Sequence, residues 1–96
     1  MLYAIAALDA ADSSEKRLAA QPAHIERLLQ LKNQGRLIMA GPLQSGDSSE
    51  APACGSLIVA EFDSQQAAQD WINADPYFVA GVYAKAKVRP FLKRLP

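Results

Sequence analysis

Leu2 to Leu8 is an unbroken apolar run with apolar side chains at odd and even positions alike. It is too short for a typical helix and predicts a strand covered on both faces. After Asp9, the stretch Asp12-Ser13-Ser14-Glu15 places a side-chain acceptor three residues before a glutamate, a helix start signal. A helix is therefore expected to open near Ser13, to be interrupted at Pro22, and to give way after a short turn to a main helix from about Gln21. There Ile25, Leu28 and Leu29, bordered by Leu18 and Leu31, form an apolar stripe, and Gly35 supplies the stop. Leu37 to Ala40 reads as a second strand closed by Gly41-Pro42.

Gln44 to Cys54 has the composition of a loop and is longer than a tight hairpin, which makes it a candidate lid. Gly55 to Phe62 predicts a third strand. Ser64 caps a second helix whose Ala67, Ala68, Trp71 and Ile72 share one side. Asp75-Pro76-Tyr77 punctuates the chain, and Val82 to Val88 predicts a fourth strand ending at Pro90 and Phe91. The order βαββαβ is that of an α+β, ferredoxin-like domain, with an antiparallel sheet and both helices on one face. An apolar first strand would leave the other face hydrophobic, so a homodimer with facing sheets is expected; a monomer with a more polar open face is the rival.

Composition narrows the function classes. The 96 residues allow one domain, spanning 1–96. Ten basic side chains balance ten acidic ones, so no nucleic-acid partner is expected. The apolar start meets Asp9 rather than continuing as a membrane span, and Cys54 is the one cysteine; a cytoplasmic, reducing setting with no membrane partner is the expectation. One histidine and one cysteine exclude an ordinary structural zinc site of several Cys and His ligands, and the scattered glycines form no nucleotide loop. No metal or cofactor is expected.

His24, placed by this reading in the opening turn of the main helix, would be biased toward its neutral form by the free amides there, as suits a general base. Its bland alternative is a half-buried histidine bonded to a carbonyl. Asp75 either caps a short helix that starts at Pro76 or orients His24 by fixing its tautomer. On the fourth strand Lys85, Lys87 and Arg89 alternate with apolar residues, a solvated row or a place for a carboxylate-bearing ligand. Lys85, Tyr77 and Ser45 are the candidate substrate contacts. Ser45 and Ser48 lack the surroundings of a serine nucleophile, and Cys54 is expected to be half-buried and inert.

Three stretches together, Arg17-Leu18-Ala19-Ala20-Gln21-Pro22-Ala23-His24, Gly35-Arg36-Leu37-Ile38-Met39-Ala40-Gly41-Pro42, and Asp75-Pro76-Tyr77 with Gly81-Val82-Tyr83, resemble the YciI-like (YCII) family. The likeness runs from Leu2 to about Leu95. It implies a dimeric α+β barrel related to muconolactone isomerases, with an active-site histidine and aspartate that map onto His24 and Asp75. Some members of the family are dehydrochlorinases of small ring or muconate-derived compounds. The expected function is proton abstraction by a His-Asp pair, in elimination or isomerisation, on a small organic acid or lactone. The alternative is a non-catalytic module that holds a small molecule in the same cleft.

Overall fold

In the computed structural model, which describes Met1–Pro96, β1 (Leu2–Asp9), α1 (Ser14–Asn33), β2 (Leu37–Gln44), β3 (Ala53–Glu61), α2 (Gln65–Asn73), α3 (Pro76–Val79) and β4 (Tyr83–Phe91) follow in order. The strands form one antiparallel sheet in the order β2-β3-β1-β4, the ferredoxin-like arrangement. Ile5 stands between Ile58 and Val88, and Ala7 between Ser56 and Ala86. With Tyr3 and Ala60, this parity turns toward the helices and packs on Leu28 and Leu31 of α1, Ala68 and Ile72 of α2, and Tyr77 of α3. The close pairing of β1 and β3 needs Gly55, where a Cβ would run into the Ala7 carbonyl.

The opposite parity faces away. Ala6 and Leu8 are exposed, so a single copy covers β1 on one face rather than two. Lys85, Lys87 and Arg89 stand beside Leu8, Ala6 and Ala4 on this open face.

Pro22 does not interrupt the first helix. α1 runs unbroken for 20 residues with Pro22 inside it. Proline removes the amide that would bond to the Leu18 carbonyl, but Leu18 and Pro22 both face solvent, where that carbonyl is not sealed from water. The consequence is a different buried stripe. His24, Leu28 and Leu31 point inward, while Leu18, Ile25 and Leu29 are exposed. At the helix start, Ser13 occupies the cap position without a side-chain cap bond, after Asp12 at φ 56°.

Gly41-Pro42 likewise lies within β2 rather than closing it, because β2 is an edge strand and can spare an amide hydrogen. The β2–β3 loop shrinks accordingly to residues 45–52, and Cys54 sits exposed on β3. β4 extends through Pro90 on the other edge for the same reason. Ser64 caps α2 as expected, accepting from the Ala67 amide at 3.0 Å. No helix is long and apolar enough to cross a membrane.

Candidate active site

His24 lies midway along α1, ten residues past its first residue. The free amides of the opening turn are therefore far from it, and the helix-terminus argument for its charge state does not apply. What fixes the ring instead is Asp75, fifty-one positions away. The Asp-Pro dipeptide explains how. Pro76 begins α3 at a position where no amide hydrogen is required, and Asp75 caps it, its Oδ2 accepting from the Tyr77 N–H at 3.0 Å.

The same oxygen accepts from His24 Nδ1 at 2.8 Å, so the cap and the imidazole partner are one carboxylate. Its other oxygen accepts from Arg27 Nη1 at 3.0 Å. Asp75 is fully buried, and three donors surround it. A carboxylate has no proton to give, which assigns the hydrogen to Nδ1 and leaves the lone pair on Nε2. No protein group bonds to Nε2, and His24 lines a cleft of about 160 Å³ between α1 and β2.

Gln21 and Ile25 of α1, Ala40 and Pro42 of β2, and Ser56 of β3 share the walls of that cleft with Tyr77. Tyr77 stacks on His24, ring centroids 3.9 Å apart and planes within 14°. Arg17, two helical turns before His24, reaches the same place. Its Nε and Nη2 grip Asp9 at 3.0 and 3.2 Å, and Nη2 also donates to the Gly55 carbonyl at 2.8 Å and to Ser56 at 3.0 Å. The guanidinium carbon lies 4.7 Å from the Tyr77 ring centroid. Nη1 takes part in none of these four bonds. Beyond Arg17 and Gln21 the cleft adjoins a hollow of about 330 Å³ bordered by Pro52 and Ala53, so the β2–β3 loop supplies one margin of it.

Burial alone would make Arg17 easier to deprotonate, but the bond and charge of Asp9 outweigh it and hold the guanidinium above its ordinary value. Burial pushes the Tyr77 phenol up against the opposing influence of Arg17. Burial also raises the Tyr83 phenol well above the usual tyrosine range, outweighing nearby Ser56 and Arg17. The Tyr83 hydroxyl is enclosed near Ser56 but makes no hydrogen bond of ordinary length and angle.

Two expected contacts lie elsewhere. Lys85 is on the open face, in a hollow with Leu8, Lys87 and Arg89, separated from His24 by the sheet. The cation row belongs to that face because β4 alternates about Val88, which turns inward. Ser45 is exposed in the β2–β3 loop, its amide bonded to the Pro52 carbonyl, and does not line the cleft. Conversely Arg17, Arg27 and Ser56 escaped the sequence reading. Arg17 and Arg27 had a signal, seven residues before and three after the histidine, spacings that share a helix face. Ser56 had none.

The chain matches the YCII-related domain over residues 1–92. It is 52% identical over 96 residues to protein YciI of Escherichia coli O6:H1, covering 97% of this chain and 98% of that one. A Haemophilus influenzae protein is 46% identical over the same coverage. Among solved structures, 5-chloro-2-hydroxyhydroquinone dehydrochlorinase from Burkholderia phenoliruptrix AC1100, in complex with 2,5-dihydroxybenzoquinone, superposes with a TM-score of 0.86 at 24% identity, covering 96% of this chain and 94% of that one. That similarity shows the fold. The extent of the sequence match goes further: this chain belongs to the YCII family.

Proposed function

We propose that the protein is a small enzyme that removes a proton from carbon in a small organic acid or lactone, or from the sp3 carbon of the keto tautomer of a hydroxylated ring. The observation that carries this reading is the His24–Asp75 bond at 2.8 Å, made through Nδ1 by a histidine that lines a cleft. Nε2 takes the proton, and the C–H electron pair becomes the new double bond. In an elimination, a leaving group such as chloride departs from the neighbouring carbon with its own pair. In an isomerisation, the imidazolium returns the proton to another carbon. Asp75 holds the ring and stabilises the imidazolium. Arg17, which lines the cleft, donates to a substrate oxygen that gains negative charge as the proton leaves. Tyr77 packs the imidazole, and neither Lys85 nor Ser45 has a part.

The dehydrochlorinase named above, which shares the fold, supports the elimination branch. The working form is a homodimer in which a second copy covers Ala6, Leu8 and Met39 of the open face.

The test is a panel of chlorinated hydroquinones, lactones and muconates, followed by ultraviolet absorbance and chloride release. Turnover that His24→Ala abolishes while the variant stays folded is the expected result. Undiminished turnover in His24→Ala overturns the role of the base. Tight retention of an unaltered compound, with no turnover across the panel, favours a binding module.

A further inference from the structure

Arg27 does not line the cleft, yet it holds the residue on which the cleft's histidine depends. Its Nη1 donates to Asp75 Oδ1 at 3.0 Å and to the Trp71 carbonyl at 2.9 Å. Its guanidinium carbon stacks 4.3 Å from the Trp71 ring centroid, which leaves the group little freedom to swing away. One buried carboxylate is thus shared by a permanent cation and by an imidazole that becomes a cation only when it accepts a proton.

Two cations that share one anion oppose each other. With the guanidinium in place, the charge of Asp75 is already matched, and a second positive charge on the ring gains less from it. The other groups around His24 do not upset this balance. Arg17 of α1 is closed into a two-bond pair with Asp9 of β1. Tyr77 of α3 and Tyr83 of β4 are held as neutral phenols by burial, and Ser56 of β3 is uncharged.

We propose that Arg27 is a positioning residue that acts on His24 through Asp75, fixing the carboxylate's orientation and restraining the imidazole's affinity for a proton. Its importance for turnover rests on the enzymatic reading above, but its effect on the ring does not. A base that bound its proton too firmly would be occupied before substrate arrived and slow to give the proton back.

His24 is the one histidine of the chain, so its ring signals can be followed by NMR across a pH series without ambiguity and without a substrate. Arg27→Gln keeps a donor for Asp75 and removes the charge; Arg27→Lys keeps the charge. In Arg27→Gln the midpoint of the ring's titration is expected to move to higher pH by about 0.5 unit or more. In Arg27→Lys it should stay near that of the unaltered protein, and in Asp75→Asn it should move to lower pH. An unmoved or lowered midpoint in folded Arg27→Gln overturns the proposal, as does an equal shift in Arg27→Lys. If Arg27→Gln does not fold, a shift in Asp75→Asn toward higher pH, or none, overturns it instead. A panel without turnover would sink the enzymatic reading and leave these titrations as they are.

Discussion

The imidazole of His24 lies against the ring of Tyr77, 3.9 Å between centroids, while the backbone amide of Tyr77 bonds to the carboxylate that holds that imidazole. Tyr77 therefore fixes the ring in two ways, through its face and through the helix cap it completes. α3 has only four residues, yet it sets the orientation of a side chain on α1.

The first prediction concerns which member of the pair the fold needs more. Asp75→Ala strands Arg27, the His24 Nδ1–H and the Tyr77 amide together, and should cost about 3 to 5 kcal/mol, the range for breaking a buried ion pair. His24→Ala leaves Asp75 with two of its three donors and should cost about 1 to 3 kcal/mol. Urea unfolding of both variants checks the order, and equal losses would contradict it.

Arg17 should resist conservative replacement. A lysine there carries one compact ammonium group and cannot reach Asp9, the Gly55 carbonyl and Ser56 together. Arg17→Lys is expected to lose about 2 kcal/mol or more, since several buried acceptors go unmet. Thermal unfolding reads the loss.

Tyr83→Phe should be neutral or stabilising by about 1 kcal/mol, because it removes a buried hydroxyl that makes no hydrogen bond of ordinary geometry. Its pH dependence follows from the raised phenols. Tyr77 and Tyr83 bind their protons more firmly in the folded chain than in the unfolded one, where the value is near 10.0. The stability tied to them is complete below that pH and is lost as the pH climbs above it. Tyr83→Phe should therefore flatten the alkaline limb of a stability-against-pH curve, and a limb as steep as before would exclude Tyr83 as its source.

Pro22→Ala restores an amide to the interior of α1. Proline is about 3 kcal/mol worse than alanine inside a helix, and the entropy it saves in the unfolded chain returns only about 1 kcal/mol. A clear rise in melting temperature is expected.

The self-association reading has its own measurement. Sedimentation should give about twice the 10.4 kDa chain mass, and Leu8→Glu should halve it. A monomer at micromolar concentration would overturn the dimer.

Much of this architecture was legible in the residues. The change of period from β1 to α1, the Ser64 cap and the Asp75-Pro76 cap are local signals, and local chemistry produced them. The two elements that run past their expected ends both contain proline. The rule that proline ends an element holds for interior positions, and Pro22 and Pro42 instead occupy a solvent-facing helix surface and a sheet edge, which only the tertiary structure reveals. His24 and Asp75 each sit in a short motif and were paired through the family resemblance, since their spacing of fifty-one positions does not itself bring them together. Their meeting, and the parts taken by Arg17, Arg27 and Ser56, depend on packing α1 against α3 and β3. The misplacement of Lys85 has a simpler cause: strand alternation gives two faces without saying which one the helices cover.

Pro42 lies on β2 and Pro90 on β4, the two outermost strands. A proline nitrogen has no hydrogen to offer an incoming chain, so lateral growth of the sheet stalls at both margins. Fibre-like recruitment of further copies, strand beside strand, is thereby discouraged even when the protein is concentrated. Contact through the broad flank of the sheet stays open, a mode that can close on itself as a pair and stop.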